Sequence, residues 1–141
     1  MIQPTLHHIA LTVTDLDASI AWYEKVFGIT YRTEVGHEGG TGKLLSDDSR
    51  QLVIVLHRHD DNQAEMFKET RTGLDHVGLA VASRSDLEAW QAHLKELGVE
   101  QASPADRPLT QSPILDPKYA SVLVFRDPDN IQLELFAPRR V

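Results

Sequence analysis

Apolar residues recur along this chain at two periods, and the same order of periods occurs twice. Leu6 to Val13 is apolar and β-branched and reads as a strand. From Asp15 to Gly28 the apolar residues Ile20, Tyr23, Val26 and Phe27 fall at helical spacing, with Asp15 or Asp17 able to cap the start and Gly28 to end it. Ile29 to Val35 predicts a second strand and Gly36-His37-Glu38-Gly39-Gly40 a loop. Lys43 to Ser46 predicts a short strand, and Asp47-Asp48-Ser49-Arg50 a turn. Gln51 to His59 predicts a strong strand, because Leu52 to Leu56 is continuously apolar.

The second half follows the first. Leu74 to Ala82 predicts a strand, and Ser85-Asp86-Leu87-Glu88 a capping box opening a helix that runs to Gly98. A polar, proline-bearing stretch from Ala102 to Pro117 precedes a strand at Tyr119 to Arg126, a turn at Asp127-Pro128-Asp129-Asn130 and a strand at Ile131 to Phe136. Asp60 to Gly73 joins the halves, with a short helix expected at Gln63 to Thr70. The opening strands are near-copies: Leu6-His7-His8-Ile9-Ala10-Leu11-Thr12-Val13 against Leu74-Asp75-His76-Val77-Gly78-Leu79-Ala80-Val81. His8 and His76 stand at an offset of 68 residues, and Trp22 and Trp90 repeat at the same offset.

Each half therefore reads as β-α-β-β-β, which makes the fold class α+β, two tandem βαβββ modules in one domain. Module one covers about residues 5–60, the linker 61–73 and module two 74–138. One helix covers only one face of a four-stranded sheet. Two such units are expected to join their sheets into a curved half-barrel with the helices outside, leaving a cleft on the inner face.

Composition narrows the function classes. The 141 residues hold 14 Lys and Arg against 21 Asp and Glu, a net charge of −7 without a basic cluster, so nucleic acid is not an expected partner. There is no cysteine, hence no disulfide and no thiolate metal site. No apolar run approaches the roughly 20 residues that span a bilayer, and no basic-plus-apolar leader precedes the first strand. A cytoplasmic protein without a membrane partner is the expectation.

Four segments in order carry a family resemblance: His8-Ile-Ala-Leu-Thr-Val-Thr-Asp-Leu16; Ser19-Ile-Ala-Trp-Tyr23 with Val26-Phe27-Gly28; Asp75-His76-Val-Gly-Leu-Ala-Val81; and Phe125-Arg-Asp-Pro-Asp-Asn-Ile-Gln-Leu-Glu134-Leu135. Over about Leu6 to Pro138 the chain resembles the vicinal oxygen chelate superfamily, also called the glyoxalase / bleomycin-resistance / extradiol-dioxygenase fold. The resemblance implies a divalent metal (Fe, Zn, Ni, Co or Mn) bound by residues of the first and last strands of each module. His8 and His76 fall at the first-strand positions and Glu134 at the last-strand position of module two. Aligning the two turns at an offset of 80 pairs Glu134 with Ile54, which cannot ligate, so His57 needs a local shift to become the fourth ligand. His59 shares its face on a regular strand. The chain departs here from the four-ligand glyoxalase pattern, which has a glutamate at this place.

Two imidazoles and a carboxylate suit a first-row divalent ion and leave coordination positions open for a small substrate with vicinal oxygens, such as a catechol, an α-hydroxyketone or an α-keto acid. The expectation is a metal-dependent enzyme of the dioxygenase, isomerase or lyase type, acting as a homodimer. His57 is a candidate acid/base as well as a candidate ligand. Arg107, in the long polar loop, is a candidate partner for a substrate carboxylate, and Tyr119 a candidate hydrogen-bond donor toward the metal. His7 and Asp75 are expected at the surface or behind the ligands, and Trp22 and Trp90 in helix-to-sheet packing. The alternative is a metal-free, bleomycin-resistance-type protein that binds a small molecule or antibiotic; the retained His8, His76 and Glu134 argue against it.

Overall fold

The computed structural model of the chain describes residues 1–139, in two compact units, Met1–Glu65 and one that begins at Met66. The first unit contains β1 (Ile9–Thr12), α1 (Leu16–Phe27), β2 (Thr30–His37), β3 (Gly40–Ser46) and β4 (Val53–His59). Its sheet runs β1-β4-β3-β2, with β1 parallel to β4 and the other neighbours antiparallel. Asp15 caps α1 by accepting from the Ala18 N–H at 3.0 Å. Gly28 ends it at φ 65°, a left-handed conformation that favours glycine, and donates its N–H to the Glu24 carbonyl. Leu11, Val13, Tyr23, Val26, Leu45, Ile54 and Leu56 are buried and form the core.

The second unit contains β5 (Val77–Ala80), α2 (Arg84–Glu96), β6 (Glu100–Gln101), β7 (Thr110–Gln111), β8 (Ala120–Arg126) and β9 (Gln132–Pro138). Its sheet runs β5-β9-β8-β7-β6, with β5 parallel to β9 and β8 antiparallel to β9. Along β9, buried Leu133, Leu135 and Ala137 alternate with half-buried Gln132, Glu134 and Phe136, the period-two pattern of a strand with two different faces. Val77, Leu87, Leu94, Leu123 and Phe125 complete this core. The expected α+β class is therefore what the chain adopts. Among the described residues no helix is long and apolar enough to cross a membrane.

Four local expectations need correction. The loop expected at residues 36–40 shrinks to a two-residue turn, Glu38-Gly39, because β2 and β3 pair as far as His37 with Gly40. The capping box lies two residues before the expected one: Ser83 accepts from the Asp86 N–H at 3.2 Å, and Asp86 accepts from the Ser83 N–H at 2.9 Å. Thr110-Gln111, within the polar stretch, pairs in parallel with Glu100-Gln101 just before it, so two short strands stand at the edge where module one has a single long one.

The linker helix at Gln63 to Thr70 does not form. Ala64 has φ 54°, which ends any helical run there. The Phe67 N–H donates to the Asp129 carbonyl at 2.9 Å, and its carbonyl accepts from Asn130 Nδ2 at 3.3 Å. Those backbone groups are thus used by the β8–β9 turn rather than by a helix. Arg126 holds the arrangement: its buried guanidinium donates to both Glu69 carboxylate oxygens at 3.0 Å and to the carbonyls of Ala105 and Asn130.

The hydrogen bonds from Arg126 hold the Glu69 carboxyl down at about 2, from an ordinary 4.5. A carboxylate depressed in the folded state contributes stability above its unfolded value and loses it as pH falls toward the folded one. Glu69→Gln is expected to lower unfolding free energy by about 1–2 kcal/mol at pH 7, less than a fully buried pair would because Glu69 is partly exposed. Denaturant unfolding from pH 7 to pH 2 should show the difference from wild type shrinking below pH 4.5 and vanishing near pH 2. A difference that stays constant with pH would remove the carboxylate from this role.

Candidate functional site

The parallel pairing of β5 with β9 places Gly78 opposite Glu134, and His76 lies two residues before Gly78 in the approach to β5. His76 Nδ1 is 2.6 Å from the Asp75 carboxylate, and its Nε2 is 3.9 Å from Glu134 Oε2. The carboxylate can only accept, so Nδ1 carries the proton and Nε2 is the nitrogen turned to Glu134. At 3.9 Å these two atoms are too far apart for a hydrogen bond. They are near enough to share one cation, since two bonds of about 2.1 Å reach that far. Asp75, expected only at the surface or behind the ligands, turns out to fix the ring and its tautomer.

The same geometry corrects the position matched to Glu134. In the first unit Ala10, two residues after His8, pairs with Val55, as Gly78 pairs with Glu134. The β3–β4 connection is residues 47–52 and the β8–β9 connection residues 127–131, so module one carries one extra residue in its turn. That residue shifts the counterpart from Ile54 to Val55, which is 3% exposed and cannot ligate.

His57 lies two residues beyond Val55 on the same face of β4 and keeps other company. Its ring centroid is 4.9 Å from that of His37 and 6.1 Å from that of His59, and His37 and His59 are also 4.9 Å apart. The rings sit beside β3, where Gly42 pairs with His57 and Gly40 with His59. A Cβ on Gly42 would stand 2.5 Å from His57 Cε1 and 2.7 Å from its Nδ1. A Cβ on Gly40 would stand 2.5 Å from both His37 Cε1 and the Arg58 carbonyl. Burial, then the neighbouring imidazoles of His37, His59 and His8, lower the His57 pKa below its ordinary 6.5, so the ring is neutral at pH 7. His57 Nδ1 and His37 Nε2 are buried and have no hydrogen-bond partner, an arrangement that costs about 1–3 kcal/mol per group.

The remaining candidates are scattered. His8 belongs to the first unit, with its Nδ1 2.9 Å from His7 Nδ1. Tyr119 is exposed and stacks on Phe136 at 6.1 Å, which places its ring on the Glu134 face of β9. Arg107 lies with Gly98, Glu100, Gln101 and Leu109 around a cavity of about 430 Å³ at the β6–β7 edge, the opposite end of the strand order from β5. His93 packs against Trp90 on α2. Among the described residues no three His, Asp or Glu side chains are already gathered into a metal-binding group.

The fold has counterparts in known proteins. The family model described as "Glyoxalase/Bleomycin resistance protein/Dioxygenase superfamily" matches residues 5–135. The chain belongs to this superfamily. It is 30% identical to the uncharacterized protein YaeR of Escherichia coli, over 93% of this chain and 94% of that one. A glyoxylase/bleomycin resistance protein/dioxygenase domain from Frankia sp. EAN1pec superposes with a TM-score of 0.83 at 29% identity, covering 99% of this chain and 95% of that one. The fosfomycin resistance protein FosX of Listeria monocytogenes, in complex with Mn(II) and sulfate, shares the fold with a TM-score of 0.62 at 21% identity, over 98% and 95% of the two chains.

Gly42 supplies a test of the packing in this superfamily member. Gly42→Ala should displace the His57 ring and strain the Val35 carbonyl 2.9 Å away, lowering stability by about 1–3 kcal/mol in urea unfolding. Unchanged stability would show that His57 does not lie against β3 in solution.

Proposed function

We propose that this protein is a divalent-metal-dependent enzyme that grips a small substrate through two neighbouring oxygens, with His76 and Glu134 among the protein's ligands. The observation that carries the reading is the Asp75–His76–Glu134 arrangement. A histidine whose Nδ1 proton is held by one carboxylate presents the Nε2 lone pair to another at 3.9 Å. Lone pair and carboxylate repel unless a proton or cation lies between them, and the separation suits an ion with nitrogen and oxygen ligands. The Mn(II) complex of FosX supports a divalent ion in this fold. When bound, such an ion supplies Lewis acidity to the substrate's oxygens.

The chain's own residues then have distinct tasks. Asp75 orients His76 and fixes which ring nitrogen carries the proton. Glu134 contributes negative charge from a strand whose other face is apolar core. Tyr119, whose ring stacks on Phe136 on the face of Glu134, is the proposed hydrogen-bond donor to substrate. The first unit has Val55 where the second has Glu134, so the repeat supplies one carboxylate at this position rather than two. That favours dioxygenase or lyase chemistry over an isomerase with two carboxylates. Arg107, at the β6–β7 edge, has no part in the proposed site.

The test is metal content of protein purified anaerobically without chelator or immobilised nickel. Wild type should retain tightly held divalent metal, and folded His76→Ala about one equivalent less. Asp75→Asn should bind the ion about 10- to 100-fold more weakly while keeping its fold. Iron as the resident metal would direct assays to ring cleavage with O2; zinc, manganese, nickel or cobalt would direct them to lyase substrates. A folded His76→Ala that holds as much metal as wild type would overturn the assignment.

A further inference from the structure

The histidines of the first unit that gather beside β3 form a group of their own. We propose that His37, His57 and His59 make a second metal site, bound through imidazole nitrogens alone and suited to Zn(II), Ni(II) or Cu(II). Three observations support it, all on β2, β3 and β4.

The first is the state of the nitrogens. His37 Nδ1 lies 3.1 Å from the Glu38 carbonyl, which can only accept, so that nitrogen carries the proton. Nε2 is then a lone pair, and it is buried with no donor to meet it. His57 Nδ1 is likewise buried and unpartnered. A neutral imidazole held at one nitrogen by a backbone carbonyl and open at the other is the usual state of a metal-binding histidine.

The second is spacing. Two imidazoles on one ion, each bonded at about 2.1 Å, carry their ring centroids roughly 4.5 to 6.4 Å apart. The three separations here are 4.9, 4.9 and 6.1 Å. The rings do not yet converge on one point, and binding requires them to turn about their side-chain torsions. His59, exposed at the end of β4, has room to do so.

The third is the floor beneath them. Gly40 and Gly42 are the β3 residues paired with His59 and His57, and any side chain at Gly42 would collide with the His57 ring. The absence of side chains there leaves space for three rings side by side. Imidazole donors without thiolate or carboxylate select zinc, nickel or copper rather than magnesium or calcium. A bound ion would link the end of β2 to the end of β4 across the β2–β3 turn, and so stabilise the first unit by mass action.

Isothermal titration of the chelator-stripped protein with Zn(II) alone tests this. Wild type is expected to take up two equivalents, and His76→Ala one. The double variant His37→Asn, His59→Asn should lose one equivalent relative to wild type. His59→Asn alone, a change at an exposed strand end that leaves the fold intact by circular dichroism, should weaken the affected equivalent at least tenfold. The proposal is overturned if His76→Ala binds no zinc, or if the double variant binds as many equivalents as wild type. Failure of the Asp75–His76–Glu134 reading looks different: wild type would then bind one equivalent, which His76→Ala keeps and the double variant loses.

Discussion

The chemistry of this chain depends on the parallel pairing of the first and last strands within each unit. Antiparallel hairpins place sequence neighbours together, whereas β1 meets β4 and β5 meets β9 only after a helix and further strands have intervened. In each case one face of the pair is buried against the helix, and a slip of one residue would turn every core side chain outward. Burial of Ile54, Leu56, Leu133 and Leu135 therefore locks the register. Once it is locked, the residue opposite Ala10 and the residue opposite Gly78 are decided. One is Val55 and the other Glu134.

Two histidines of the chain share a small device. Each has an acceptor immediately beside it in sequence, Asp75 before His76 and Glu38 after His37, and that acceptor takes the Nδ1 proton. Proton placement on an imidazole is a choice between two nearly equal tautomers, so one hydrogen bond suffices to make it. The remaining nitrogen is then committed as a lone pair. At His76 it is turned toward a carboxylate, and at His37 it is buried with nothing to bind. Both positions leave an unmet need for positive charge.

Much of the scaffold was legible in the chain, and most of what was not depended on contacts distant in sequence. Asp15, Gly28 and the apolar run of β4 act through neighbours within a turn or a strand, so they could be read directly. The pairing of His8 with His76 as equivalent positions was also visible, because a repeat needs no structure to be seen. The linker helix failed because Phe67 bonds to Asp129 and Asn130, partners that no local pattern announces. The capping box was misplaced through a choice between two serines, Ser83 and Ser85, both followed three residues later by an acid. The counterpart of Glu134 was off by one because a turn with one added residue looks, in sequence, like a turn of the same length. The histidine group was hidden for another reason: His37 joins His57 and His59 only when the loop at residues 36–40 contracts to a two-residue turn.

The repeat is thus a symmetric scaffold with asymmetric chemistry. The same register that offers Glu134 in the second unit offers a buried valine in the first, so the ligand set cannot be doubled by symmetry alone. The first unit carries its polar groups further along the same strand, at His57 and His59, where β3 presents Gly40 and Gly42. A glycine opposite an imidazole gives the ring a surface to lie on. In the proposed cation site the three histidines supply the donor nitrogens and the two glycines the room for the rings, so neither set serves without the other.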